Sequence, residues 1–202
     1  MELFSYPDNY QFKHPLEHTW TLWYLDSNRT KNWEDCLMEV GSFGTVEDFW
    51  CLFHHIKRAS ELKPGCDYSL FKKGITPMWE DKANKDGGRW IINLEKRITH
   101  AKLDHYWLEI AMCLIGECFH GLNDKINGAT INIRSKLNKI GLWTNTEDRS
   151  TVVRIGMLNS FRMKVKELMG IAPSQVIHFQ IHKDCQGKKP TEQLNKLNTY
   201  YV

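Results

Sequence analysis

From Gly128 to Trp143 the chain reads Gly-Ala-Thr-Ile-Asn-Ile-Arg-Ser-Lys-Leu-Asn-Lys-Ile-Gly-Leu-Trp, and its alternation restricts the fold more than any other stretch. Successive side chains of a strand point to opposite faces. With Leu137-Asn138 in the turn, the stretch predicts a hairpin that pairs Lys136 with Lys139, Arg134 with Gly141 and Asn132 with Trp143. Ile131, Ile133, Ile140 and Leu142 then share one face, which must be core. Asn132, Arg134, Lys136, Lys139 and Trp143 share the other. Two lysines directly opposed repel, so three cations and a tryptophan on one face make sense if an anion sits there. Phosphate is the natural one, because Arg binds it in a fork and Lys as a point charge. A solvated sheet face with mobile cations fits the same pattern.

The rest of the chain supplies more strands and single helices. A strand over 16–25, rich in Thr, Trp and Tyr, leads to the turn Asp26-Ser27-Asn28 and a second strand over 36–43. Thr45 reads as an N-cap with Glu47 and Asp48 in the first turn, and Val46, Phe49, Trp50, Phe53 and Ile56 follow at helical spacing. Pro64-Gly65 breaks the chain before a strand over 67–71, and the turn Gly87-Gly88 precedes a strand over 89–94. Leu103, Trp107, Ile110 and Leu114 mark a second helix. A third is expected from Asn145 or Thr146, with an apolar stripe of Val153, Met157, Phe161, Val165 and Leu168 and a stop at Gly170 and Pro173. A strand over 176–182, a basic loop over 183–196 and a closing strand over 199–202 complete the chain. Strands in neighbouring groups, interrupted by single helices, predict an α+β fold: a mostly antiparallel sheet with helices packed on one face.

The 202 residues suit one domain, expected over 14–202 after a flexible tail of 1–13. A formal charge of +3 is too small for a general nucleic-acid coat, so phosphate binding must come from a local cluster. The six cysteines form no C-x-x-C pair, the N-terminus lacks a signal-peptide pattern, and no apolar run reaches membrane-span length. These features predict an intracellular protein with reduced thiols that uses no membrane.

Eight tryptophans are many for this length. Pro77-Met78-Trp79-Glu80, in an expected loop, places an indole beside a carboxylate. A guanine edge offers two N–H donors that one carboxylate accepts together, and an indole supplies a stacking surface. Trp33, between Lys31-Asn32 and Glu34-Asp35, lacks an apolar partner at strand spacing and is a second contact candidate. Each of these indoles could equally cover a core edge. No phosphate-binding loop, nucleophile elbow or H-E-x-x-H is present. His54 and His55 point apart on a helix, and His178, Gln180, His182 and Cys185 make only a weak metal pattern, better read as packed or solvated histidines. No cofactor, metal or catalytic residue is therefore assigned.

Several longer runs carry a resemblance: His14-Pro15-Leu16 with Trp20 and Trp23, Thr45-Val46-Glu47-Asp48-Phe49-Trp50, and Pro64-Gly65-Cys66-Asp67-Tyr68-Ser69-Leu70-Phe71. Pro77-Met78-Trp79-Glu80-Asp81, Gly87-Gly88-Arg89-Trp90, Tyr106-Trp107-Leu108-Glu109, Cys113-Leu114-Ile115-Gly116-Glu117 and Asn132-Ile133-Arg134 extend it. In order and nearly without gaps, from about His14 onward, the chain resembles the mRNA cap-binding translation initiation factor of the four-E family.

The resemblance implies a curved antiparallel sheet with three helices on its convex face, and binding of the 7-methylguanosine cap by a non-enzyme. By position it makes Trp33 and Trp79 the two stacking indoles, Glu80 the reader of the guanine edge and Trp143 the neighbour of the N7 methyl. Arg134, Lys136 and Lys139 become the phosphate clamp, with Arg89 assisting through water. His14, Pro15, Val46, Trp50, Leu108, Glu109 and Met112 become the convex docking face for a short amphipathic helix. The implied partners are capped mRNA, the scaffold initiation factor four-G and small four-E-binding inhibitory proteins. The protein itself is expected to be a monomer, cytoplasmic and in part nuclear. A cap-binding repressor that fails to recruit the scaffold is the alternative, distinguished by partner preference on the convex face. A hydrolase of capped nucleotides is a third reading, disfavoured for want of an acid–base or metal cluster. The departures are Met112 where leucine is common, a longer third-helix region over 155–170, and a C-terminal loop without the serine that similar proteins phosphorylate, Ser174 lying before the preceding strand.

Overall fold

In the computed structural model, residues 12–27, 33–94, 98–157, 177–183 and 200–201 are described below, without the side chains of 33, 34, 156, 157, 200 and 201. Eight strands form one curved sheet: β1 (Pro15–Leu25), β2 (Leu37–Thr45), β3 (Asp67–Lys72), β4 (Gly88–Leu94), β5 (Ile126–Asn132), β6 (Asn138–Thr144), β7 (His178–Ile181) and β8 (Tyr200–Tyr201). Their order is β2-β1-β3-β5-β6-β4-β7-β8, and every pairing is antiparallel. The α+β class expected from the sequence is what the chain adopts.

Three helices complete the core on one side: α2 (Val46–His55), α3 (His100–Ile115) and α4 (Arg149–Met157). Each starts where a side chain satisfies its first amides. Thr45 accepts from the Asp48 amide at 3.2 Å, and Thr99 from the Lys102 amide at 3.3 Å. Leu103, Trp107, Ile110 and Leu114 of α3 are all buried, as their spacing predicts. A one-turn helix, α1 (Trp33–Cys36), precedes β2 and was not expected; β2 correspondingly begins at Leu37.

Two expectations need correction. The third helix starts at Arg149, because residues before it are spent on a capping turn. Thr144 donates to the Thr146 carbonyl at 2.9 Å, Thr146 Oγ1 accepts from the Asp148 amide at 3.1 Å, and Asp148 then caps the Thr151 amide at 2.9 Å. Among its described side chains Val152 and Ile155 are buried and Val153, the one stripe residue described, is half-buried. The remainder of that stripe, with Gly170, Pro173 and Ser174, lies outside the described residues, as do residues 1–11 and 184–199.

The hairpin register also differs. Asn132 pairs with Lys139 and Ile131 with Ile140, so five residues, 133–137, make the connection. Ile133 is the reason: its amide donates to the Cys66 carbonyl at 3.0 Å and its carbonyl accepts from the Gly65 amide at 2.7 Å, which holds it on β3 instead of β6. Asn138 closes the loop by accepting from the Arg134 amide at 3.0 Å. Lys136 therefore sits in a loop, not opposite Lys139. The shift moves the partner of Asn132 by four positions, from Trp143 to Lys139. An even shift leaves every side chain on its expected face. Ile131, Ile140 and Leu142 are fully buried against the helices, together with Trp90 and Ile92 of β4. Asn132, Lys139 and Trp143 occupy the opposite, concave face.

Candidate ligand site on the concave face

A cavity of about 700 Å³ opens on that face. Asp67 and Ser69 of β3, Thr130 and Asn132 of β5, Lys139 and Trp143 of β6, and Arg89 of β4 line it from the sheet. Pro77, Trp79 and Glu80 contribute from the loop after β3, and Arg134, Lys136 and Leu137 from the 133–137 connection. The structure thus brings together seven of the eight residues the sequence nominates for a nucleotide end. The eighth, Trp33, belongs to α1, which runs directly into Leu37 on the cavity wall; its side chain lies outside the described residues.

The floor is rigid. Trp143 is 2% exposed, meets the Phe71 ring edge-on at 5.4 Å, lies 4.4 Å from the His182 ring, and directs Nε1 toward Thr130 Oγ1 at 3.4 Å. Arg89 lies across it, its guanidinium carbon 5.6 Å from the ring centroid, and donates Nε and Nη2 to Gln180 Oε1 at 3.0 and 2.8 Å. Gly141 makes room for this arrangement: a Cβ there would stand 2.9 Å from Thr130 Oγ1 and 3.7 Å from Arg89 Cδ.

Four cationic side chains and two carboxylates line the cavity, so its electrostatics favour an anion. Arg134 forms a two-pronged ion pair with Asp67, Nη1 with Oδ1 and Nη2 with Oδ2. Burial pushes the Asp67 carboxyl up, opposed by Arg134 and Asn132, while the same pairing raises the Arg134 guanidinium. Lys139 has its ammonium pushed down, first by burial and then by Arg89 and Arg134. A bound phosphate would relieve that repulsion, because its charge favours the protonated lysine. Lys136 is exposed on the connection.

The loop carrying Trp79 and Glu80 leaves the indole half-buried and the carboxylate exposed. Asp81 accepts from the Thr76 and Ala83 amides at 2.8 and 2.9 Å, and so folds the loop onto itself. Trp79 and Glu80 therefore project from a loop closed through the Asp81 carboxylate. Asp67, Gln180 and Thr130 escaped the sequence reading as site residues. The period-two pattern puts them on the concave face, but only the β3–β5 pairing brings Asp67 and Thr130 together on the cavity wall, and only the β4–β7 pairing sets Gln180 beside Arg89.

The convex side presents a second candidate surface. His14 is tied to α2 through Nδ1 to Glu47 Oε1 at 2.6 Å and by its carbonyl accepting from the Val46 amide at 2.9 Å. Pro15 pairs with Thr45. Val46 is 36% exposed, and Trp50, Leu108, Glu109 and Met112 are half-buried. Trp50, Leu108 and Met112 rest on the edge of the core without being sealed in it.

A curved antiparallel sheet with helices behind and an aromatic, cationic cavity in front defines a binding protein for a flat, anionic ligand such as a nucleotide. The chain's relatives agree with that class. Residues 15–197 match the model of the eukaryotic initiation factor 4E family, and the chain belongs to that family. It is 45% identical to human eukaryotic translation initiation factor 4E over 191 residues, which is 94% of this chain and 85% of the human protein. It is 46% identical to the mouse type 1B factor, over 87% of this chain and 70% of the other. Among solved structures, Ascaris suum eIF4E-3 in complex with m7G cap superposes with a TM-score of 0.81 at 41% identity, covering 95% of this chain and 98% of that one. Schistosome eIF4E in complex with m7GpppA and 4E-BP superposes with a TM-score of 0.82 at 30% identity, covering 95% and 100%.

Proposed function

We propose that this protein binds the 7-methylguanosine 5′ cap of mRNA in the concave cavity and brings it to the translation-initiation scaffold through the convex face. The observation that carries this reading is the convergence of Trp79, Glu80, Trp143 and four cations on one cavity. Methylation at N7 makes guanine cationic, and the face of an indole carries negative potential, so stacking favours the methylated base by roughly 0.5–2 kcal/mol per face. Trp79 supplies one face, and Trp33, on the helix before Leu37, the other. Glu80 accepts the two guanine N–H donors. Trp143 lies beside the methyl group. Arg134, Lys136 and Lys139 hold the phosphates, with Arg89 assisting through water.

The convex residues His14, Pro15, Val46, Trp50, Leu108, Glu109 and Met112 are assigned to an amphipathic helix of the scaffold factor 4G or of the small 4E-binding inhibitors. Half-exposed Val46, Trp50, Leu108 and Met112 supply the apolar strip such a helix needs. Membership of a family of translation factors supports a cytoplasmic location and a recognition role without catalysis. Residues 14–202 act as one cap-binding domain behind the tail of 1–13. No helix among the described residues is long and apolar enough to cross a membrane.

Retention on immobilised 7-methyl-GTP tests both faces together. The bound protein should elute with free 7-methyl-GTP and not with GTP, and should carry a scaffold-derived helical peptide with it. Passage through the resin unretained contradicts the cap assignment. Retention without the peptide contradicts the convex one.

A further inference from the structure

Beside the cavity lies a polar network that no ligand-contact assignment uses. Asn84 is fully buried. Its side-chain amide donates to the carbonyls of Thr76 at 2.9 Å and Met78 at 2.8 Å, and its side-chain oxygen accepts from Asn127 Nδ2 at 2.8 Å. Asn127, 3% exposed, also donates to the Ala83 carbonyl at 2.8 Å. The Asn84 carbonyl accepts from His182 Nδ1 at 2.7 Å, which makes Nδ1 the protonated nitrogen. His182 in turn packs on Trp143.

The sheet is built to allow this. Between β5 and β6 the register slips at Asn127: Ile126 pairs with Thr144 and Gly128 with Trp143, leaving Asn127 as the extra residue of a bulge. A bulge re-aims the side chain it carries. Here Asn127 points away from the ladder into the 76–84 loop. The loop's close approach to the sheet is marked by Gly87, where a Cβ would stand 1.8 Å from the Thr144 carbonyl oxygen.

We propose that Asn84 and the bulged Asn127 are positioning residues that preorganise the stacking wall of the cap site, with His182 linking that wall to the Trp143 floor. The inference rests on the cap-binding reading above. Trp79 directly follows Met78, whose carbonyl Asn84 holds, so the backbone that carries the indole is tied by residues that do not line the cavity. Ordering a loop beforehand spares its cost at binding. A buried network of this kind is also sensitive to a single missing donor: without Asn84 the Thr76 carbonyl would keep only the Met78 amide at 2.7 Å, the Met78 carbonyl only the Asp81 amide at 3.4 Å, and the loop would lose its tie to Asn127.

The test compares Asn84→Ala, Asn127→Ser and the pair His182→Asn and His182→Leu. Asparagine at 182 keeps a donor in the Nδ1 position; leucine does not. Affinities for 7-methyl-GTP and for inorganic triphosphate are measured with each folded variant, together with binding of the convex-face peptide. Asn84→Ala and Asn127→Ser should weaken 7-methyl-GTP binding about tenfold or more and leave triphosphate and peptide binding near wild type. His182→Leu should follow them, and His182→Asn should recover most of the loss. Should Asn84→Ala not fold, Asn127→Ser and the His182 pair carry the same comparison. Variants that bind 7-methyl-GTP like wild type would overturn the proposal. So would a loss spread equally over all three ligands, which is the signature of a merely structural role. If the wild-type protein itself does not prefer 7-methyl-GTP, the cap-binding reading fails, and that outcome is read before any variant.

Discussion

Along β6, Ile140 and Leu142 are fully buried against the helices, while Lys139, Gly141 and Trp143, alternating with them, face the cavity. The two faces of these strands meet opposite demands. The convex side is sealed by apolar packing, with Trp20, Trp90, Trp107 and Phe179 at or below 2% exposure. The concave side keeps polar groups that balance one another: Arg134 with Asp67, Arg89 with Gln180, and Lys139 pressed by both arginines. Packing that stabilises the fold is thus concentrated on one face, and the proposed cap site places ligand affinity on the other. Substitutions one residue apart should report different properties.

The largest separation is expected between Leu142→Ala and Trp79→Ala. Truncating the buried leucine should cost about 2–5 kcal/mol of stability in chemical denaturation. Trp79→Ala should leave the denaturation midpoint close to wild type and cost about 1–3 kcal/mol of cap affinity. A Trp79 variant that lost stability instead would move that indole into the core. Arg134→Ala should affect both properties, because it strands the buried Asp67. The stability cost should be about 2 kcal/mol, below that of a fully enclosed pair since Arg134 is 40% exposed. Its cap affinity should fall, and the slope of affinity against salt should flatten. An unchanged slope would show that Arg134 meets no phosphate.

Acid should act on the His182 link between the loop wall and the Trp143 floor. Burial holds the His182 imidazole down to about 4 from 6.5, with the Asn84 carbonyl opposing and Arg89 adding to the shift. The unfolded chain therefore binds the extra proton first. This contribution to stability is complete above pH 6.5 and is lost as pH falls toward 4. His182→Asn should flatten stability against pH in that window. A profile as steep as wild type would assign the acid sensitivity elsewhere. The smallest effect is expected at Val46, on the convex rim: Val46→Ser should change stability by no more than about 0.5 kcal/mol, leave cap affinity unchanged and weaken only the helical partner.

Much of this division was legible in the sequence. Alternation alone assigned Ile131, Ile140, Leu142, Lys139 and Trp143 to their faces, and the assignment survived a wrong register because the slip was even. The register itself was not legible, since the bonds of Ile133 to Gly65 and Cys66 come from a segment more than sixty residues away in sequence. The helix caps Thr45 and Thr99 are local hydrogen bonds, and Thr45 could be read. The start of α4 was misplaced because several capping residues, Thr146 and Asp148 among them, crowd one turn. In the site, Trp33, Trp79, Glu80, Arg134, Lys136, Lys139 and Trp143 were candidates from their own pattern, and resemblance gave each its role and added Arg89. Asp67, Gln180, Asn84 and Asn127 were missed because their roles depend on which strands pair and where the bulge falls.

The most direct test of the account is a tryptophan-fluorescence titration with 7-methyl-GTP and, in parallel, with GTP. Strong quenching and a clear preference for the methylated nucleotide, about tenfold or more if two indole faces contribute, is the expected result. Equal binding of the two nucleotides, or none of either, would contradict a cap site on the concave face.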